Sequence, residues 1–138
     1  MSPNHAILKN DPATVWMGIE VLLAEYGHAI ITMTLREEML NGFGIAHGGM
    51  IFAFADTAFA LSCNKPEGDS ETITVAAGAD INFISSGRAG ETLTADAKVR
   101  EQFGRSGLYD ITVTGEYGRA IAEFRGRSRT IPHRTAAE

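Results

Sequence analysis

HGGMIFAFADTAFALSCN, residues His47 to Asn64, opens on a glycine pair and runs on through apolar or small residues, interrupted by one aspartate, Asp56. The run is too long for a typical strand and too short to cross a bilayer core of about 30 Å. Asn64 and then Pro66 are stop signals, so the stretch reads as one long helix. A helix that is apolar nearly all round must be surrounded by other structure.

The rest of the chain supplies that surround. Beyond Pro66, Ile73, Val75, Ala77, Ala79, Ile81 and Phe83 alternate with more polar positions. Leu93, Ala95, Ala97 and Val99 do the same, and two further runs cover residues 108–116 and 120–131. Turn signals separate them at residues 86–90, 103–107 and 117–118. Ahead of the helix, Asp11 and Pro12 mark a short N-terminal helix through Met17. Ile19, Val21 and Leu23, followed after a break by Ala29, Ile31, Met33 and Leu35, read as a hairpin with those residues facing inward. Strands with one apolar and one polar face form an antiparallel sheet packed on one side. With one long helix available to cover it, the sheet is expected to wrap that helix, an α+β architecture.

At 138 residues and 44% hydrophobic, the chain fits a single domain, residues 1–138. A net charge of −5 argues against a nucleic-acid partner or an anionic membrane surface. Cationic character collects late, with 3 basic and 10 acidic residues through Ser86 and 9 basic and 7 acidic after it. The first residues lack a secretory signal pattern. Cys63 is the only cysteine, so a reducing, cytoplasmic setting is expected. Cys63 itself reads as a small buried hydrophobe. His5, His28 and His133 fall in ends or turns without ligand spacing, and no metal or other cofactor is expected.

Asp56 is the candidate for chemistry, although pairing with an arginine would explain a buried aspartate equally well; a capping role is unavailable in mid-helix. An ionised carboxylate buried without partners costs several kcal/mol, so it acquires donors or shifts its pKa upward. Its neighbours at helical spacing are Phe52, Ala53, Phe59 and Ala60, two walls and two gaps, a pocket suited to activating water beside an apolar group. Gly48 and Gly49 begin the helix, where unpaired N–H groups can meet an oxyanion. A tight loop-to-helix turn would explain the same glycines equally well. Gly48 and Asp56 are eight residues apart, about 12 Å along a helix. One helix cannot bring both to one carbonyl, so if both act the site is shared between the subunits of a homodimer.

NGFGIAHGGMIFAFADTAFALSCN, the later DINF, the GETLTADAKV run and the closing FRGRS together resemble the PaaI-type branch of the hotdog-fold acyl-CoA thioesterases, over a core of about residues 16–131. The resemblance implies a hotdog fold and edge-to-edge dimers, commonly paired into homotetramers. It implies hydrolysis of aromatic acyl-CoAs, such as phenylacetyl-CoA and its ring-hydroxylated forms in phenylacetate degradation. It further implies that Asp56 is the catalytic carboxylate, a general base on water or a nucleophile. Gly48 would polarise the thioester carbonyl, with Asn41 assisting from the same subunit. His47, Gly49, Phe52, Thr57, Phe59, Asn82 and Phe83 are the expected substrate-binding residues. Some relatives outside this branch carry hydroxyl residues where this chain has Ala60 and Gly78; Thr57 is a weak substitute.

Arg125, Arg127 and Arg129 share one strand face. With Arg88 and Arg105 they are candidates for the phosphates of coenzyme A, although a solvated face or a subunit contact explains the three-residue row more simply. Two rival functions use the same residues. A hotdog hydratase or dehydratase would move protons with His47 and Asp56, which crotonyl-CoA hydration would reveal. A non-catalytic acyl-CoA-binding domain would have no use for Asp56.

Overall fold

The computed structural model describes residues 3–133; residues 1–2 and 134–138, parts of the polar ends, lie outside the described residues. A 3₁₀ turn (Ala6–Asn10) and α1 (Pro12–Trp16) lead into β1 (Glu20–Glu25) and β2 (His28–Thr34). The long helix α2 (Gly48–Cys63) follows, then β3 (Thr72–Phe83), β4 (Thr92–Phe103), β5 (Ser106–Thr114) and β6 (Ala120–Pro132). All six strands form one antiparallel sheet in the order β1-β2-β4-β5-β6-β3. The strand that follows α2 therefore crosses to the far edge instead of joining its sequence neighbour β4.

The helix packs against all six strands. Ile51, Phe54, Ala55, Ala58, Phe59, Leu61, Ser62 and Cys63 turn into the core, where Phe59 meets Tyr109 and Phe124. The wrapping is incomplete within one chain. Phe52 remains 37% exposed, and Asp56 and Ala60 are half-buried, along a stripe of α2 that the sheet leaves open. The sheet thus covers only part of the helix circumference, whereas the sequence reading placed it all round.

Strict alternation fails at two bulges. In β1, Val21 pairs with Ile31 but Leu23 pairs with Ile30, so Leu22 is an extra residue. Val21 and Ala24 consequently turn inward, in place of the expected Val21 and Leu23. In β3, Ala76 pairs with Ser128 and Gly78 with Arg127, leaving Ala77 unpaired. The shift puts Thr74 and Ala76 on the face shared by Ala79, Ile81 and Phe83; Ile73 and Val75 fall out of phase.

Gly126, opposite Ala79 on β6, lets the Phe59 ring lie against the backbone; a Cβ there would stand 2.6 Å from the ring. Gly126→Ala should therefore destabilise by about 1–3 kcal/mol through overpacking. A urea titration is expected to show a lower midpoint at unchanged slope.

Candidate active site

The site begins where α2 begins. His47 is extended (φ −63°, ψ 132°), and its Nδ1 accepts the Gly49 N–H at 2.9 Å, capping the helix. Its backbone N–H is anchored to Met39 O at 2.8 Å. The Met50 and Ile51 N–H groups both bond to His47 O, which leaves Gly48 N–H as the unengaged donor of the first turn. Gly49, expected to bind substrate, already donates to His47. The Phe83 ring covers Gly48: a Cβ on Gly48 would lie 3.2 Å from it. Phe83 is itself 54% exposed.

The loop before the helix is built on Asn41. Its Oδ1 accepts from the N–H of Phe43 (2.9 Å) and Ile45 (3.4 Å), and its own N–H bonds to Ile45 O at 2.8 Å. With the oxygen fixed in this way, the side-chain NH₂ is the part of the amide left to donate.

Eight residues along the same helix, Asp56 faces a cavity of about 340 Å³ bounded by Phe59, Ala60, Cys63 and the β3 residues Ile73–Ala76. Burial raises its pKa, and no donor among the described residues offsets that. Such a carboxylate is a stronger base than a solvated one. Cys63, in the same wall, has its thiol pushed up to about 12, chiefly by burial, and is no nucleophile.

The other expected residues divide. Phe52, one turn before Asp56, packs edge-on against Phe124 at 5.1 Å. Phe59 borders the Asp56 cavity but is a core residue, 1% exposed. Thr57 donates its hydroxyl to Ala53 O at 2.8 Å, so its proton is engaged within the helix. Asn82 pairs with Glu123 and faces the outer surface of the sheet with Asp80 and Asp110, away from Gly48 and Asp56, because alternation sends it opposite to Phe83.

The arginine row lies on that same outer surface. Arg125 grips Asp110 with two bonds (2.7 and 3.0 Å), Arg127 reaches Asp80 at 3.4 Å and Arg129 bonds Ser106 Oγ at 3.3 Å. Within the chain, all three are engaged by neighbouring side chains. Arg105 sits in the β4–β5 turn near the end of β6. Arg88 lies in the β3–β4 loop, whose Gly87 O accepts the Ala46 N–H at 2.9 Å, next to the start of α2. The five arginines do not converge.

Glu91 was not singled out by the sequence. It is 5% exposed and accepts from Arg119 Nη2 and from the N–H groups of Arg88 and Glu116, each at 3.0 Å. Burial alone would raise its pKa, but these donors outweigh it and hold the carboxyl below its ordinary value. The cluster ties the β3–β4 loop to the β5–β6 turn and, through Gly87, supports the entry to α2. Its contacts to Glu116 and Arg119 span 25 and 28 residues, so no local motif announces them.

Among the described residues no group of His, Cys, Asp and Glu could hold a metal ion, and no helix is long and apolar enough to cross a membrane.

Comparison with known proteins identifies the family and the fold. The family model described as Thioesterase superfamily matches residues 43–122. The acyl-coenzyme A thioesterase PaaI of Escherichia coli K12 is 41% identical over 127 residues, 92% of this chain and 88% of that protein. The solved structure of the E. coli PaaI protein from the phenylacetic acid degradation operon aligns with a TM-score of 0.85 at 40% identity, over 91% of this chain and 88% of that one. A Streptococcus mutans protein solved bound to acetyl CoA aligns with a TM-score of 0.74 at 27% identity, over 85% of this chain and 91% of its own.

Proposed function

Because the chain belongs to the thioesterase superfamily, with the hotdog fold and the acyl-CoA thioesterase activity of its PaaI relatives, we propose that it hydrolyses aromatic acyl-CoAs at active sites shared between two subunits. One observation carries the shared site. Gly48 and Asp56 lie on one helix, about 12 Å apart, and at opposite ends of β3: Phe83 covers Gly48, while Thr74 to Ala76 flank Asp56. β3 is a twelve-residue edge strand whose Val75 and Phe83 are 37% and 54% exposed. Long apolar edges are normally covered. Antiparallel pairing of two β3 edges about a two-fold axis carries the Gly48 end of one subunit to the Asp56 end of the other. The same pairing covers the open stripe of α2.

In this reading the thioester carbonyl accepts from Gly48 N–H, with the Asn41 amide assisting from the same subunit. Asp56 of the other subunit removes a proton from water as the water oxygen bonds to the carbonyl carbon. Collapse of the tetrahedral intermediate breaks the C–S bond, and the departing sulfur takes the proton back, yielding free acid and CoA. Phe52 and Phe83 offer aromatic walls near the two ends. His47 sets the helix start, and engagement of its Nδ1 by Gly49 disfavours the hydratase alternative, in which that ring moves protons. A homotetramer in a reducing cytoplasm completes the reading, supported by the likeness to PaaI and by the lone, buried Cys63.

Thiol release from a panel of acyl-CoAs tests the activity, and complementation tests the sharing. Gly48→Pro deletes the donor yet suits the first position of a helix, and the extended His47 before it is compatible with proline. Asp56→Asn and Gly48→Pro proteins should each be inactive, while mixing them should restore one intact site per mixed dimer. Absence of recovery despite demonstrated subunit exchange would refute the shared site.

A further inference from the structure

The cavity beside Asp56 continues past the carboxylate. Asp56, Ala60, Cys63 and Asn64 recur at helical spacing and all line it. From Asp56 to Asn64 this stripe of α2 is about 12 Å long. A second cavity, of about 320 Å³, shares Cys63, Asn64, Ile73, Thr74 and Ile7 with the first, so the two adjoin at the end of the helix with these residues between them. Ile7 is the shared wall residue that lies outside α2, its Asn64 cap and the sheet. It comes from the N-terminal turn Ala6–Asn10 and stands where the two cavities join.

His5 holds that turn in place. The sequence reading left it in a free end, yet it is 4% exposed. Its Nε2 lies 3.1 Å from Leu61 O and 3.0 Å from Asn64 O, and its Nδ1 accepts the Ile7 N–H at 3.2 Å. One neutral tautomer satisfies every contact: Nε2–H donates to two carbonyls at the end of α2, and the Nδ1 lone pair receives Ile7. Ala6 N–H adds a bond to Pro66 O at 2.7 Å. Carbonyls at a helix end lack partners within the helix, so this latch meets a need of α2 while fixing the turn against it.

We infer that the turn Ala6–Asn10 is the end wall of the acyl channel and that Ile7 is a specificity-determining residue, limiting how far the acyl group of a bound thioester extends beyond Asp56. The inference rests on the thioesterase reading above. Up to Ile7 the channel is walled chiefly by Phe59, Ala60 and Cys63 of the helix and by Thr74 and Ala76, the β3 residues on the face turned toward it. Its one amide, Asn64, is engaged by Ala60 O, Thr74 O and Thr74 N–H. The matching ligand chemistry is a hydrocarbon acyl body that ends at Ile7. His5 is a positioning residue, acting through the turn it holds.

The test measures kcat and KM for acetyl-CoA, phenylacetyl-CoA and decanoyl-CoA with the wild type, Ile7→Ala, Ile7→Trp and His5→Ala. Ile7→Ala should raise kcat/KM for decanoyl-CoA relative to phenylacetyl-CoA by about tenfold, the scale at which pocket methylenes discriminate. Ile7→Trp should lower phenylacetyl-CoA relative to acetyl-CoA by a similar factor. His5→Ala should follow Ile7→Ala in acyl preference, with the change carried mainly by KM. Unchanged acyl ratios in Ile7→Ala, a variant whose half-buried position tolerates truncation, overturn the inference. Failure of the wild type to hydrolyse any of the three overturns the thioesterase reading instead.

Discussion

Asp56→Asn is expected to slow thiol release from acyl-CoA by about 10²–10⁴-fold, the range for loss of a positioned general base, and at the same time to raise the melting temperature at neutral pH. Both effects have one cause. Burial holds the Asp56 pKa above its ordinary value, which makes the carboxylate a better base and makes its ionised form costly to the fold. The sign follows from linkage: a carboxyl raised on folding stabilises the native state when protonated, and that benefit is lost as pH rises through its native pKa. The amide keeps the shape without the charge. The stability difference should therefore shrink as pH falls through the raised native pKa and close near the ordinary carboxylate value, about pH 4. Steady-state assays and melts across pH check both halves. Wild-type turnover in the variant would remove Asp56 from the mechanism, and a lower melting temperature at neutral pH would show that its charge is compensated.

Glu91→Ala should cost about 3 kcal/mol, near the lower end for breaking a buried pair because Arg119 is 38% exposed and can rehydrate. The Arg88 and Glu116 N–H groups lose their acceptor as well. For a domain of this size the melting temperature should fall by about 10 °C. The pH dependence runs opposite to that of Asp56. The Glu91 carboxyl is held low in the fold, so its contribution is present above the ordinary glutamate value of 4.5 and is lost as pH falls through the lower native pKa. The gap between wild type and variant should close in acid. Because Gly87 in the same loop supports Ala46, just ahead of His47 and Gly48, activity should fall alongside stability. Equal melting temperatures at neutral pH would show that the cluster is dispensable.

Much of the molecule was legible in the residues. α2 announced itself by length, glycine start and Asn64 stop, and the period-two runs marked all six strands, because periodicity is a local property that burial imprints on neighbouring positions. The bulges at Leu22 and Ala77 were invisible, since each is a matter of register against a partner strand. Asn82 was grouped with Phe83 through the family resemblance, although strand alternation alone sends it to the other face. The engagement of Gly49 by His47 and of Thr57 by Ala53 also escaped notice, because both depend on where a hydrogen points.

By itself, the sequence determined that one apolar helix carrying Gly48 and Asp56 is covered by an antiparallel sheet, and that those two residues stand too far apart on it to meet one carbonyl from a single subunit. Only the tertiary structure decided that β3 crosses to the sheet edge, that Phe83 and Thr74 mark its two ends beside Gly48 and Asp56, and that His5 and Glu91 clamp the segments around the site. The division has a physical reason. Helical rise and strand alternation are set within a few residues, whereas edge position, cavity walls and buried polar clusters join groups far apart in sequence.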